Sequence, residues 1–384
     1  MKKIINDISV DELIERSKTN NIVIYGAGDI GKITFWALKN IGITPVLFIV
    51  DIDSEWNYQG VPIKPFETVK QIENPLVIVA VAHYIDHLIE ALENINITNM
   101  FIPLTLINSV KLKPEQRDKT IFEYEIILRN YTAYYENNYR EQIYIQELWL
   151  SVTEGCSLKC ENCLALGDKY KQVRIPTLEE ICTNFDMLLS NIDKIGTVSF
   201  FHEPFMFKEL DKLLERYADN PKINNFTIVT NATILPNKSL LTQLATPKIN
   251  VVVSDYKEHS YNYENLISLL KENNIQFTLY TEERYGKWVK LNIYDQDNKI
   301  DRQSRCVNRL FTLIRNRFYY CPTLANGVNT GVMPDYDRDY LDVNSKDFRN
   351  EVRKYLYDRK PLLGCDYCGN ELETQTVERA VQAR

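Results

Sequence analysis

The chain has 384 residues, 45% hydrophobic and 25% charged, an ordinary globular composition with enough apolar mass for two or three cores. A formal net charge of −7 offers no broad basic field, which argues against nucleic acid as a partner. No apolar run reaches membrane-spanning length, and Asp7, Asp11 and Glu12 interrupt the N-terminus before any sustained apolar stretch, so neither a membrane span nor a signal peptide is expected.

The first elements read strand, glycine turn, helix, strand. Asn21–Tyr25 is apolar and β-branched, Gly26-Ala-Gly28-Asp-Ile-Gly31 follows, a helix runs to about Asn40, and Thr44–Val50 is a second strand ending on Asp51. A strand at Leu76–Val81, a helix from about residue 84 to Leu92 and a strand near Asn99–Pro103 extend this βαβ unit to roughly half of a doubly wound fold. The glycines permit a tight turn and close phosphate approach to the helix N-terminus, and Asp51 stands where a ribose diol would bind. Gly26, Gly28, Gly31 and Asp51 are therefore candidate nucleotide-binding residues. The segment also resembles the small N-terminal domains of sugar acyltransferases and related surface-polysaccharide enzymes, which implies a nucleotide or nucleotide-sugar; NAD and a purely structural domain are the alternatives.

Residues 111–146 form a polar and aromatic linker, with Tyr131, Tyr134 and Tyr135 at helical spacing that suits packing against a neighbour better than ligand binding. From Glu147 the pattern alternates strand and helix. Strands are expected at Leu148–Thr153, Thr197–Phe201, Phe226–Thr230, Asn250–Ser254 and Gln276–Tyr280, with helices such as Thr177–Ile192 and Tyr263–Asn273 between them. Thr177 and Glu180 make a capping-box signature for the first helix. This implies a parallel sheet or partial barrel whose active face lies at the C-terminal strand ends. The expected domains are 1–110, a linker 111–146, a barrel 147–300 and a loop-rich tail 301–384, where Phe311–Tyr320 reads as a hairpin.

Without a signal peptide the expected compartment is the cytoplasm, where clustered cysteines more often bind metal than pair as disulfides. The eight cysteines partition into a tight trio, a lone Cys182 that reads as core, and a dispersed quartet. Cys156, Cys160 and Cys163 form C-x3-C-x2-C directly after the first barrel strand, at the mouth of the sheet. Three thiolates on a four-iron cube leave one iron open to a chelating ligand; a zinc knuckle or chance spacing is the bland alternative.

This loop resembles that of the radical S-adenosylmethionine superfamily, over roughly residues 147–384. The resemblance implies a partial (β/α)6 barrel and a four-iron, four-sulfur (4Fe-4S) cluster on Cys156, Cys160 and Cys163. It also implies S-adenosyl-L-methionine on the open iron, and a 5′-deoxyadenosyl radical that takes hydrogen from a substrate. Phe201-His202-Glu203-Pro204 looks like a variant of the family's Gly-Gly-Glu-Pro segment, in which Glu203 and Pro204 match and both glycines are replaced. Asn231, in Thr230-Asn-Ala-Thr233, and Ser254 occupy the matching ends of the next strands. Asn162 stands where the family commonly has an aromatic residue. His202 reads as a proton relay or as a packing histidine.

Fourteen residues lie between Cys306 and Cys321 and forty-three between Cys321 and Cys365, and Cys365-Asp-Tyr-Cys368 is a C-x2-C pair. A zinc site usually pairs two short knuckles and only one is present, which tilts the quartet towards a second, fully ligated cluster. The arrangement resembles the twitch module, a shortened SPASM extension, which implies electron transfer rather than direct substrate binding. The function this implies is an oxidoreductase that dehydrogenates a sugar, polyol or nucleotide-sugar, served by a flavodoxin- or ferredoxin-type reductant. An epimerase, a ribosomal-peptide maturase and a non-catalytic iron–sulfur scaffold are the competing classes.

Overall fold

The computed structural model describes residues 6–51, 56–82, 85–117, 121–136, 142–294, 310–357, 362–369 and 375–383. The chain divides into two compact units, residues 1–138 and 139–384.

The N-terminal unit is one twisted sheet with helices against it. Its strands are β1 (Asn21–Tyr25), β2 (Leu47–Val50), β3 (Trp56–Tyr58), β4 (Val61–Pro65), β5 (Pro75–Val79) and β6 (Met100–Phe101), in the order β3-β4-β2-β1-β5-β6. All neighbours are parallel except the β3–β4 edge hairpin. Ile22, Val23, Ile24 and Tyr25 are all buried, as a central parallel strand requires. The expectation of half a doubly wound fold is exceeded, because strands flank β1 on both sides and the order reverses beside it, which opens a crevice at the strand ends. The β3–β4 hairpin turns on Gln59-Gly60 with φ of 52° and 82°. That left-handed pair is normally signalled by Asn-Gly or Asp-Gly, and Gln59 gives no such signal. The helix Ile121–Glu136, expected as a linker, belongs to this unit and buries Tyr124 and Tyr131 in its core.

In the C-terminal unit β7 (Tyr144–Leu150), β8 (Lys194–Phe200), β9 (Ile223–Thr230), β10 (Ile249–Ser254) and β11 (Phe277–Tyr280) are parallel and adjacent in chain order. Between them run the helices Leu178–Asn191, Leu210–Tyr217, Lys238–Leu244 and Tyr263–Glu272. Thr177 caps the first, its hydroxyl accepting from Glu180 N at 3.1 Å. The (β/α)6 expectation is corrected here: five strands follow in succession among the described residues. β12 (Trp288–Val289) leaves the sheet to pair with β16 (Thr376–Val377), and the sixth parallel strand is β13 (Phe311–Ile314), from the tail, seated beside β7. With β14 (Arg317–Tyr319) and β15 (Tyr340–Asp342) the tail therefore extends the barrel sheet. Burial explains this, since Phe311, Leu313 and Phe318 join Leu148 and Leu150 in one apolar core.

Alternation along the strands decides what faces the concave side. Leu148, Val198, Phe200, Phe226, Ile228, Val251 and Val253 pack under the helices, so Glu147, Trp149, Thr197, Ser199, Asn225, Asn250, Thr278 and Thr312 point into the lumen. Ser199 Oγ donates to Glu147 Oε1 at 2.6 Å and Asn250 Nδ2 to Thr278 Oγ1 at 3.2 Å. No helix among the described residues is long and apolar enough to cross a membrane.

Candidate functional site

The loop after β7 carries Cys156, Cys160 and Cys163, all free thiols. Its neck is closed by Glu154 and Arg174, which exchange backbone hydrogen bonds of 2.8 and 3.0 Å. Glu154 is 3% exposed and collects Arg315 (Nε to Oε1 3.1 Å, Nη2 to Oε2 2.7 Å), Asn329 Nδ2 (3.0 Å) and Arg174 Nη1. Burial alone would raise its carboxyl, but the hydrogen bonds from Arg315 and Asn329 and the Arg315 charge hold it below the ordinary range. Gly155, next in line, has φ of 114° and a β-carbon there would meet Val173 Cγ2 at 3.1 Å, so the neck needs glycine.

Inside the loop Asn162 and Leu166 are left-handed, with φ of 59° and 52°. The curl brings the Leu158 N–H to the Cys156 sulfur and the Ala165, Gly167 and Leu166 N–H groups to that of Cys163. Asn231 Nδ2 donates to Cys156 Sγ at 3.3 Å and Gln382 Nε2 to Cys160 Sγ at 3.1 Å. Burial pushes the Cys156 and Cys160 thiols up to about 12, and the neighbouring sulfurs add to the rise. Burial raises Cys163 as well. Among the described residues no three His, Cys, Asp or Glu side chains converge as the ligands of a single metal ion do.

Glu203 is fully buried at the end of β8. Its carboxylate accepts from Thr230 Oγ1 (3.0 and 2.9 Å), Asn231 N (3.0 Å) and Phe205 N (3.2 Å). Burial, only partly offset by those bonds, pushes its pKa up to about 7. Pro204 opens the short turn Pro204–Met206. Asn231 is 4% exposed and clamps the cysteine loop through Cys156 and through Ser157 Oγ at 3.0 Å. Ser254 ends β10, 1% exposed, and its carbonyl accepts from Ser260 Oγ at 3.0 Å. His202 has φ of 63°, and its two ring nitrogens face the carbonyls of Thr153 (2.9 Å) and Ala165 (3.0 Å) between the edges of Trp149 and Tyr170. The ring thus sits between the residues just after β7 and the cysteine loop; burial depresses its basicity, and the neutral imidazole, with a single N–H, donates to one of the two carbonyls.

The C-terminal segment returns to this loop, which nothing local in the sequence announces. Glu161 N donates to Val381 O and Ala383 N to Lys159 O, both at 2.7 Å, around an isolated bridge between Cys160 and Gln382. Glu154, Arg315, Asn329 and Gln382 carry no local signal in the sequence, because each reaches the loop through the fold. Asn162, at the position usually aromatic, accepts from Leu291 N at 3.0 Å.

Of the quartet, Cys306 lies outside the described residues. Cys321 caps the helix Pro322–Thr330, its sulfur accepting from Leu324 N at 3.4 Å. Cys365 and Cys368 sit on the turn Leu363–Tyr367 and its end, with Cys368 N bonded to Cys365 O at 3.1 Å. Buried Asp339 fixes that turn by accepting from Leu363 N (2.9 Å) and Gly364 N (2.5 Å). Burial raises the Tyr355 phenol, and the Cys321 and Cys365 sulfurs add to the rise.

In the N-terminal unit Gly31 is required by packing: a β-carbon there would stand 2.0 Å from Gly26 O. Gly26 has φ of 106°, and Gly28 caps the helix Asp29–Asn40 with open space where its side chain would be. Asp51 is exposed beyond β2 and accepts from Tyr25 Oη; burial and this carboxylate raise the Tyr25 phenol.

No family model matches the chain, and no curated protein matches it. Among solved structures, BtrN in complex with AdoMet and 2-DOIA is similar over 59% of this chain and 93% of that one, at 19% identity and a TM-score of 0.37. Streptococcus suis SuiB bound to its precursor peptide SuiA is similar over 74% of this chain and 82% of that one, at 15% identity and a TM-score of 0.35. Likeness this distant fixes no activity.

Proposed function

We propose that the C-terminal unit is a radical S-adenosylmethionine oxidoreductase acting on a sugar, polyol or nucleotide-sugar. The observation that carries the reading is the cysteine loop itself: three thiols at the C-terminal end of a central parallel strand, each with N–H donors already aimed at its sulfur. Such donors stabilise thiolate once iron replaces the protons, and each thiolate of a 4Fe-4S cluster meets a different iron. The donor set therefore fits this group at Cys156, Cys160 and Cys163.

Glu203, Pro204, Asn231 and Ser254 lie at or just beyond the neighbouring strand ends, and in this reading they would hold S-adenosyl-L-methionine. Cys306, Cys321, Cys365 and Cys368 hold the auxiliary 4Fe-4S cluster. When bound, these groups supply a 5′-deoxyadenosyl radical that takes one hydrogen atom from a substrate carbon and an acceptor for the second electron; loss of one proton completes a two-electron oxidation. A flavodoxin- or ferredoxin-type protein delivers the priming electron.

The lumen supports a polyhydroxylated substrate. Thr197, Ser199, Asn225, Asn250 and Thr278 carry hydroxyl and amide groups, and the facing pair Trp149 Nε1 and Thr312 Oγ1 is buried without a hydrogen-bond partner among the described residues. Buried polar atoms left unmade are costly and are repaired by a polar ligand. Gly26, Gly28, Gly31 and Asp51 support nucleotide or nucleotide-sugar binding in the N-terminal unit.

Anaerobic reconstitution tests the reading. Wild type takes up iron and sulfide for two clusters and cleaves S-adenosylmethionine under reduction, while Cys160→Ala loses one cluster and all cleavage. Wild type without cleavage would leave only a scaffold. The double replacement of Cys365 and Cys368 by Ala keeps cleavage and loses oxidised product. Solvent deuterium appearing at the reacting carbon without oxidation would instead mean epimerisation.

A further inference from the structure

We propose that Arg379 is an oxyanion receptor of the barrel mouth, its guanidinium taking carboxylate or phosphoryl oxygens of the molecule bound against the cysteine loop. The site rests on the reading above only for the identity of the cofactor.

Arg379 lies three residues before Gln382, on the segment pinned to the cysteine loop around Cys160. Its guanidinium carbon is 4.1 Å from the ring centre of Tyr280 and 5.5 Å from that of Tyr256. Tyr280 is the last residue of β11 and Tyr256 follows the end of β10, so both rings stand at the catalytic edge of the sheet. Burial raises the Tyr256 phenol, and the Cys163 and Cys160 sulfurs are close enough to add to it. The bridge between Cys160 and Gln382, three residues on, ties the same segment to the cysteine loop.

Its bonding is incomplete. Nη2 donates to Tyr280 O at 3.2 Å, but Nε and Nη1 are buried with no partner among the described residues. The carboxylate next to it in the chain, Glu378, pairs with Lys287 instead. A guanidinium held between two aromatic faces keeps its orientation through cation–π attraction, while its unused N–H groups await an acceptor. Carboxylate and phosphate match that fork with paired oxygens. The residue as a whole is partly exposed.

Two sources offer this chemistry, the methionine carboxylate of the cofactor and an acidic group on the substrate. Equilibrium binding to the reconstituted full chain distinguishes them, using S-adenosylmethionine, its decarboxylated analogue and inorganic pyrophosphate as probes. In Arg379→Gln the affinity for at least one oxyanion probe falls about tenfold or more, and Arg379→Lys recovers part of it through charge without the fork. Loss for S-adenosylmethionine but not its decarboxylated analogue assigns the cofactor carboxylate. Loss for pyrophosphate alone assigns the substrate. Unchanged affinity for every probe in Arg379→Gln overturns the proposal. Should the Gln variant load less iron, Arg379→Lys at wild-type iron content carries the comparison, with unchanged affinity again overturning it. The pyrophosphate arm can be run on metal-free chain, so a failure of cofactor cleavage is separable from a failure of Arg379.

Discussion

Each of the two parallel sheets places a loop at the C-terminal end of a central strand, but they build it by opposite means. After β1 the loop is backbone, with Gly26, Gly28 and Gly31 giving turn, open surface and close packing within one short stretch. After β7 the loop is held by side chains from elsewhere: Asn231 reaches Cys156 across 75 residues and Gln382 meets Lys159 across 223. A local site can form with its own helix, whereas an assembled one exists only when most of its unit is folded. Perturbations should therefore spread differently in the two.

The strongest way to test this difference is Glu154→Ala. Removing the buried carboxylate leaves Arg315 and Asn329 without this acceptor and Arg174 with Glu180 alone; because both guanidiniums are partly exposed, the loss is at the low end for a broken buried pair, about 3 kcal/mol. Urea unfolding should show it, and hydrogen exchange should show amides 155–173 losing protection along with β13. A cost under about 1 kcal/mol would mean the neck does not hold the loop.

In the N-terminal unit Gly31→Ala is the matching lesion. Its methyl would meet backbone oxygen at 2.0 Å, forcing the helix away from the turn at about 3 kcal/mol. The faster exchange should stay within β1, β2 and the helix Asp29–Asn40, and cofactor cleavage should persist. Lost protection in β7–β10 would erase the contrast between the units.

Glu203 adds a pH dependence to the assembled site alone. Its folded pKa of about 7 stands above the ordinary 4.5, so the folded state holds the proton more tightly than the unfolded chain. Its contribution to the stability of the metal-free protein should be full below pH 4.5 and fall by about 3 kcal/mol as pH rises from there through 7. Glu203→Gln removes this dependence, which urea midpoints at pH 5 and pH 8 measure. Equal slopes in both proteins would place the carboxyl at its ordinary pKa.

What was legible in the sequence follows the same line. The strands β8–β11, the Thr177 cap, the glycine turn and the cysteine spacing are written in local periodicity, and the structure forms them close to the positions that periodicity marks. The insertion of β13 beside β7, the return of residues 375–383 and the Glu154 cluster are products of long-range pairing. Nothing in the segment Phe311–Ile314 says which edge of a parallel sheet it will join; burial of Phe311 and Leu313 against Leu148 decides it. His202 shows the same limit, since its neighbour Glu203 suggests chemistry while its two carbonyl contacts, on Thr153 and Ala165, are structural.

The smallest expected effect is the most discriminating for the local loop. Gly28 has φ of −76° and nothing within 4 Å of the place a β-carbon would take, so alanine there should leave stability within about 0.5 kcal/mol of wild type. The added methyl would nonetheless stand where, in the proposed nucleotide site, a phosphate would approach a helix N-terminus that no side chain caps. With uridine diphosphate as probe, calorimetry should show binding to wild type that weakens about tenfold in Gly28→Ala, at unchanged hydrogen exchange. Equal binding would make the glycine turn a packing device, with Gly31 needed and Gly28 spare, and would leave the assembled mouth as the ligand site of the chain.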